Sequence, residues 1–167
     1  MQRNQQGFTL VEITAVLVLM AIISAYVIGR SVTTGQFDLA AQTDRIRNQI
    51  RFTQSAAMKQ YDDILKVWGF KCNASPNQYW LFEGNNPDDV SKQKHIPGEQ
   101  DLKIDLAGRG VDSMTPFTLF FDRFGRPYSS YNSETDNELL TNPLTITVSA
   151  DGQSRTIIVT PETGLVQ

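Results

Sequence analysis

The chain has very few of the residues from which catalytic and metal sites are built. Its 167 residues include one histidine, His95, and one cysteine, Cys72, about twenty positions apart. A zinc site needs three or four such ligands, and a Cys/His nucleophile pair needs both residues together. The acidic pairs Asp62-Asp63 and Asp88-Asp89 would point to opposite faces of a strand and could converge on an ion only in a loop. We therefore expect no enzyme activity, no metal or other cofactor and no small-molecule substrate.

An excess of positive charge is also missing. The chain carries 15 Lys and Arg against 18 Asp and Glu, which gives a formal charge of −3. Proteins that bind phosphate backbones present clusters of Lys and Arg, often with interleaved aromatic residues, and no such cluster stands out here. Nucleic acid is therefore not an expected partner.

A single cysteine excludes a disulfide within the chain. In an oxidising compartment Cys72 is then either a buried free thiol, which we favour, or half of an intermolecular disulfide.

The N-terminal stretch lacks charge almost entirely. Between Arg3 and Arg30 the only charged residue is Glu12, and residues 8–28 are mostly apolar on every helical face. A helix of that length reaches about 32 Å, enough to cross a bilayer core of about 30 Å. An ordinary secretory signal would have a shorter apolar core and a more basic start, and an uncleaved membrane anchor would not explain Glu12. We predict a transmembrane helix over residues 8–28.

Glu12 needs a cation, because an ionised carboxylate in an apolar span is costly. Cleavage after Gly7 would provide one, since the new α-amino group of Phe8 is positive near neutral pH. The string Gly7-Phe8-Thr9-Leu10-Val11-Glu12, followed by an apolar span, resembles the prepilin signal of type IV pilins and type II secretion pseudopilins. The resemblance implies that a prepilin peptidase cuts off a leader of residues 1–7 and methylates Phe8. It also implies that the helix over residues 8–28 acts in assembly as well as in the membrane, and that Glu12 pairs with the terminal amine of a neighbouring subunit.

Further expectations about location follow from the same resemblance. The mature chain would carry a charge of −4, because Arg3 leaves with the leader and 14 basic residues remain against 18 acidic ones. It would cross the inner membrane once, with its C-terminal domain in the periplasm, and enter a pilus or pseudopilus. Its partners would be prepilin peptidase, other pilin or pseudopilin subunits and the inner membrane.

The rest of the chain predicts a helix followed by strands. Residues 29–60 are expected to form an amphipathic helix, with Gly35 either a kink or a tolerated glycine. Its apolar stripe comprises Leu39, Ile46, Ile50, Thr53 and Ala57. Residues 61–167 are expected to form a globular β domain. Its predicted strands cover 64–68, 78–82, 102–106 and 116–122, the last of them central, and a closing hairpin covers 144–160. The predicted class is α+β, with a long N-terminal helix packed on about six or seven antiparallel strands.

Two polar loops, 83–100 and 128–142, are predicted between the strands. The first holds Lys92, Lys94 and His95, which we take as a candidate ligand-facing set, although a solvent-exposed loop without a ligand is the simpler interpretation. Trp68, Tyr79 and Trp80 could form a sugar-binding surface but suit a core better.

Three short motifs make the resemblance more specific. Phe124-Gly125-Arg126-Pro127 after a phenylalanine-rich strand, the later Glu162-Thr163-Gly164 and the helix segment 51–58 resemble GspH/FimT-type minor pseudopilins. Within that set they are most similar to minor pilins of mannose-sensitive haemagglutinin pili. We predict a minor pilin or pseudopilin that acts through assembly. A pilus-tip adhesin or DNA-uptake receptor that uses its loops, and a subunit of a type II secretion pseudopilus, remain alternatives.

Overall fold

The computed structural model describes residues 9–29, 34–59 and 67–167, and it divides the chain into two compact units, 1–33 and 34–167. The predicted leader, including Gly7, and Phe8 lie outside the described residues. The predicted domain boundaries lie at or next to residues that the structure does not describe, so they stay predictions.

The first unit contains helix α1, Leu10–Gly29. Thr9 caps it, because the backbone N–H of Glu12 donates to Thr9 Oγ1 at 3.3 Å. Every described side chain of α1 is exposed within its unit. No helix in the described part of the chain is long and apolar enough to cross a membrane. The predicted span begins at Phe8, outside the described residues, and stays a prediction.

The second unit begins with helix α2, Thr34–Met58, so Gly35 lies in its first turn. All five residues of the predicted apolar stripe are buried, at 2% exposure or less. Arg45, Asn48 and Arg51 lie on the exposed side. The stripe packs against four strands of the β domain, which buries the apolar face of an otherwise polar helix.

Ten strands follow α2 among the described residues, and they form two antiparallel sheets. The strand bounds are β1 Trp68–Ala74, β2 Asn77–Glu83, β3 Gln93–Lys94, β4 Lys103–Asp105, β5 Ser113–Met114, β6 Phe117–Phe121, β7 Pro127–Tyr131, β8 Asn137–Leu139, β9 Leu144–Ala150 and β10 Gln153–Val159. A seven-stranded sheet has the order β3-β2-β1-β6-β7-β8, with β4 also paired to β2, and a three-stranded sheet has the order β10-β9-β5. The predicted α+β class, a helix packed on about seven antiparallel strands, is confirmed.

Apolar side chains fill both faces of the seven-stranded sheet. The face toward α2 joins the three-stranded sheet in the main core, which contains Phe70, Tyr79, Leu119 and Phe121. The opposite face carries a second buried cluster, formed by Val67, Trp80, Phe82, Phe120, Tyr128 and Tyr131. β6 lies between β1 and β7, so the prediction of a central strand is confirmed. Its side chains pack into both clusters.

Gly69 and Phe82 are paired across β1 and β2. The Phe82 ring occupies the space that a Cβ atom of Gly69 would need. The glycine is therefore required by a close approach between the ring and the backbone.

Some predicted boundaries were wrong. The strand predicted over 64–68 lies mostly outside the described residues and stays a prediction there, while the described strand β1 runs from Trp68 to Ala74, further than predicted. The predicted loop 128–142 contains the hairpin of β7 and β8, because Tyr128 and Tyr131 are buried in the second cluster and hold this segment to the sheet. β3 lies within the predicted loop 83–100, and β5 was not predicted. The closing hairpin turns at Asp151-Gly152, both with positive φ, as the sequence indicates.

Candidate functional site

The carboxyl group of Glu12 lies in the first turn of α1, where the helix dipole favours negative charge. Its neighbours Leu10 and Val11 are 79% and 74% exposed. Beyond them the helix presents large apolar side chains in every direction, including Ile13, Leu17 and Ile22. A helix that is apolar on all sides is typical of a membrane span or of the core of a larger protein or assembly.

The candidate ligand-facing residues Lys92, Lys94 and His95 lie in or beside different elements, and their binding of a ligand stays a prediction. Lys94 lies on β3, which corrects its assignment to an irregular loop, and its Nζ forms an ion pair with Glu83 Oε2 at 2.7 Å. Lys92 ends a short 3-10 turn that the Asp89 side chain caps, and it is exposed. His95 is exposed after the strand, as its polar surroundings suggested. The three residues therefore have separate structural settings.

Cys72 lies inside the main core and is 2% exposed. Burial raises the pKa of its thiol to about 12, because the apolar surroundings disfavour the thiolate. The alternative of a buried free thiol is therefore the one that the fold supports.

A tight turn at residues 122–127 is organised by a buried carboxylate. Asp122 accepts hydrogen bonds from the backbone N–H groups of Phe124 and Arg126, from Arg126 Nε at 2.8 Å and from the Tyr128 hydroxyl at 3.1 Å. The ion pair with Asp122 raises the pKa of Arg126. Gly125 has φ +78°, which glycine adopts without strain. The turn therefore holds the Arg126 guanidinium in one position.

A cavity of about 240 Å³ lies beside this turn, and the sequence did not predict it. Three of its lining residues are aromatic, and its charged lining residues carry both signs of charge. The lining residues are Asp122, Arg123, Phe124, Arg126, Tyr128, Tyr131, Glu134 and Asn137. The sequence offered one signal for this cavity: two arginines on either side of a phenylalanine, followed by two tyrosines three positions apart.

The helix segment 51–58, the Gly125 turn and the Gly164 turn, on which the resemblance to GspH/FimT-type proteins rests, contact one another at Gln54. Its Nε2 donates to the carbonyl oxygen of Gly125 at 2.8 Å and to that of Thr163 at 2.9 Å. A methyl group on Gly164 would lie 2.7 Å from both Gln54 Nε2 and Gly125 O, so only glycine fits there. The helix segment and the two turns are therefore parts of one packing contact.

Comparison with known families matches residues 2–28 to the model described as the prokaryotic N-terminal methylation motif. Comparison with curated proteins and with solved structures gave no match. The matched segment contains Gly7, Phe8 and Glu12. This motif supports a type IV pilin-like or pseudopilin subunit, membrane-anchored, processed by prepilin peptidase and assembled with other pilins.

Proposed function

We propose that the chain is a minor subunit of a type IV filament system, cut between Gly7 and Phe8 and N-methylated on Phe8. The observation that carries this proposal is one carboxylate, Glu12, in the first turn of an exposed helix that is otherwise apolar on all sides. The methylation motif over residues 2–28 supports it independently. In this proposal the apolar residues from 8 to 28 hold the precursor in the inner membrane, with residues 34–167 in the periplasm.

Assembly then follows from the surface of α1. Packing α1 among the helices of neighbouring subunits removes its apolar side chains from lipid or water. Glu12 would be costly in that setting unless a cation met it, since breaking a buried ion pair costs about 3–5 kcal/mol. The Phe8 amine of a neighbouring subunit supplies the cation, so a subunit inserted at the wrong depth leaves both charges unpaired. Glu12 therefore sets the register of assembly.

We further propose that the globular unit is of the GspH/FimT type, closest in kind to minor pilins of mannose-sensitive haemagglutinin pili. The meeting of the helix segment 51–58, the Gly125 turn and the Gly164 turn at Gln54 supports this placement, because a shared contact explains why the motifs occur together. A type II secretion pseudopilin would have the same signal and stays an alternative.

A second candidate function is adhesion through the face that contains 128–142. The cavity beside Tyr128 and Tyr131 supports adhesion. The net negative charge of the chain argues against DNA uptake. Deleting residues 132–136 at the tip of this hairpin, and scoring filament assembly separately from adhesion, distinguishes an adhesin from a subunit that only assembles.

The processing step is tested by intact-mass analysis of the chain expressed with a prepilin peptidase. The wild-type chain should lose residues 1–7 and gain one methyl group on Phe8. Gly7→Asp should stay at full length, because the peptidase requires the small residue before the cut. Gln5→Asp adds the same charge in the leader and should still be processed. A mature N-terminal Phe8 in Gly7→Asp would show that the proposed cleavage signal is wrong.

A further inference from the structure

We propose that a groove between helix α2 and the segment around Pro97 binds the C-terminal residue of a peptide chain, one with an apolar side chain. The groove has a volume of about 210 Å³, and its lining residues are Arg45, Asn48, Gln49, Phe52 and Pro97. All five belong to the second unit, so the inference does not depend on the processing or assembly of the chain.

The side-chain oxygen of Gln49 is a buried acceptor at this groove. Gln49 is 6% exposed, and its Oε1 has no hydrogen-bond partner among the described residues. Its Nε2 donates to Glu99 Oε1 at 3.3 Å, and the oxygen and nitrogen of one amide point in different directions, so Oε1 is turned away from Glu99. A buried acceptor without a partner is costly, so a donor that enters the groove and pairs with it gains binding free energy. The ligand must therefore carry an N–H or O–H group.

Charge beside the groove favours an anion. The Glu99 carboxylate is already matched by Arg109, whose Nη1 and Nη2 donate to its two oxygens at 2.9 and 2.6 Å. Arg45 adds a second guanidinium at 2.7 Å from Glu99 Oε1, which leaves one positive charge in excess of this carboxylate. The Arg45 side chain is 41% exposed and lines the groove, so its other N–H groups can donate to a ligand carboxylate.

The groove also presents apolar surface. Phe52, 37% exposed, and Pro97, also exposed, line it beside the polar groups. An apolar side chain laid on them would remove this area from water. The volume lies below the range of pockets that hold drug-sized ligands, so the groove takes about one residue and not a longer segment.

A C-terminal residue combines the three required groups within a few bonds. Its carboxylate binds Arg45, its own N–H donates to Gln49 Oε1, and its side chain covers Phe52. Capture of a terminal carboxylate is a recurrent mode of peptide recognition. An internal Asp or Glu would bring a carboxylate and an N–H group but would leave the apolar surface uncovered.

The test is saturation-transfer difference NMR on the full chain in lauryldimethylamine oxide, with the detergent alone as the blank. N-acetyl-leucine carries all three groups. N-acetyl-leucinamide lacks the carboxylate, 4-methylpentanoate lacks the N–H, N-acetylglycine lacks the side chain, and N-acetylaspartate α-amide represents an internal acidic residue. N-acetyl-leucine should bind with a Kd in the millimolar range, at least about threefold more tightly than each of the others, as expected for the loss of one favourable contact.

Variants then place the ligand in the groove. Gln49→Met keeps the size and removes the acceptor, so it should weaken N-acetyl-leucine about three- to tenfold and leave 4-methylpentanoate, which has no N–H, unchanged. Arg45→Met should weaken N-acetyl-leucine about tenfold or more and leave N-acetyl-leucinamide unchanged, because the lost bond is charge-assisted. Arg47→Met is the matched control, since Arg47 pairs with Asp44 and residues two apart on a helix do not share a face. It should leave every Kd unchanged.

Three results would overturn the proposal. The first is no signal for N-acetyl-leucine above the detergent blank. The second is binding of any of the other probes as tight as that of N-acetyl-leucine. The third is a loss in Arg47→Met equal to that in Arg45→Met, or a Gln49→Met loss that is the same for 4-methylpentanoate as for N-acetyl-leucine.

Discussion

The side-chain amide of Gln54 lies 2.8 Å from the carbonyl oxygen of Gly125, and this contact joins helix α2 to a turn 71 residues further along the chain. The same amide also donates to Thr163 O, which is 109 residues away. One side chain thus connects the helix, the turn after the central strand and the C-terminal turn. These elements cannot move apart without leaving two carbonyl oxygens unpaired.

Replacing Gln54 by Met should therefore lower the free energy of unfolding by about 1–3 kcal/mol, since the size is kept and both donors are lost. Chemical denaturation of the full chain measures the difference. Ser55→Met places the same side chain on the exposed face of α2 and should change stability by less than about 0.5 kcal/mol. Equal stability of the two variants would contradict the connecting role of Gln54.

Gly164→Ala should be destabilising for two separable reasons. Its φ of +64° disfavours any L side chain, and a Cβ atom would meet Gln54 Nε2 and Gly125 O at 2.7 Å. Gly110 has φ +72° with nothing within 4 Å of a Cβ atom, so Gly110→Ala isolates the backbone cost of about 1–2 kcal/mol. Thermal unfolding of both variants should show the larger loss for Gly164→Ala. A loss no larger than in Gly110→Ala would mean that the close approach is unimportant.

Glu99 should make stability depend on pH. Its side chain is 4% exposed, and it accepts from Arg109 Nη1 at 2.9 Å and Nη2 at 2.6 Å and pairs with Arg45 at 2.7 Å. The hydrogen bonds and charge of Arg109 lower the pKa of Glu99 below its ordinary 4.5, against the opposing effect of burial. The stabilisation is thus complete above pH 4.5 and is lost as the pH falls through the lower folded-state value.

The check is to follow the unfolding midpoint from pH 7 to pH 3. Glu99→Gln should be less stable than the wild type at pH 7, and the gap should close below about pH 4.5. Glu138→Gln, at an exposed position of β8, serves as the control and should follow the wild-type curve. A constant gap over the whole range would show that ionisation of Glu99 does not stabilise the fold.

Cys72 should be unreactive in the folded chain. With its pKa raised to about 12, almost no thiolate is present at pH 8, and the sulfur is shielded by the core. Labelling with dithiobisnitrobenzoate should be slow in buffer and fast in guanidinium chloride, because unfolding exposes the thiol. Rapid labelling of the folded protein, or a disulfide-linked dimer under non-reducing conditions, would contradict burial of this residue.

Glu12→Ala should be inserted and processed normally yet enter filaments poorly. Glu12→Gln is the informative companion, because it keeps the size and hydrogen bonding while removing the charge. If the pairing with a terminal amine is ionic, both variants should fall by about tenfold or more in the sheared filament fraction, judged by immunoblot against total mature protein. Normal incorporation of Glu12→Gln would show that the negative charge is not what sets the register.

Local patterns predicted the helix stripe and the closing hairpin well, because each depends on residues close in the sequence. Leu39, Ile46 and Ile50 lie on one face of any α-helix, and Asp151-Gly152 suits a two-residue turn wherever it occurs. The α+β class followed from the order of these patterns.

What the sequence could not predict depends on partners far along the chain. Residues 128–142 look polar and irregular, but Tyr128 and Tyr131 are buried because Phe120 of the neighbouring strand offers them an apolar surface. The cavity beside them was missed for the same reason, since Arg123 and Glu134 come together only when this hairpin pairs with the sheet.

The close approach of the Phe82 ring to Gly69 means that these two positions share a single volume. A larger residue at position 69 would be accommodated only if position 82 became smaller at the same time. Sequences with this fold should therefore vary at the two positions together, trading one side chain for the other across the β1–β2 pair. A substitution at either position is tolerated only with a matching change at the other, although each residue alone looks like an ordinary strand residue.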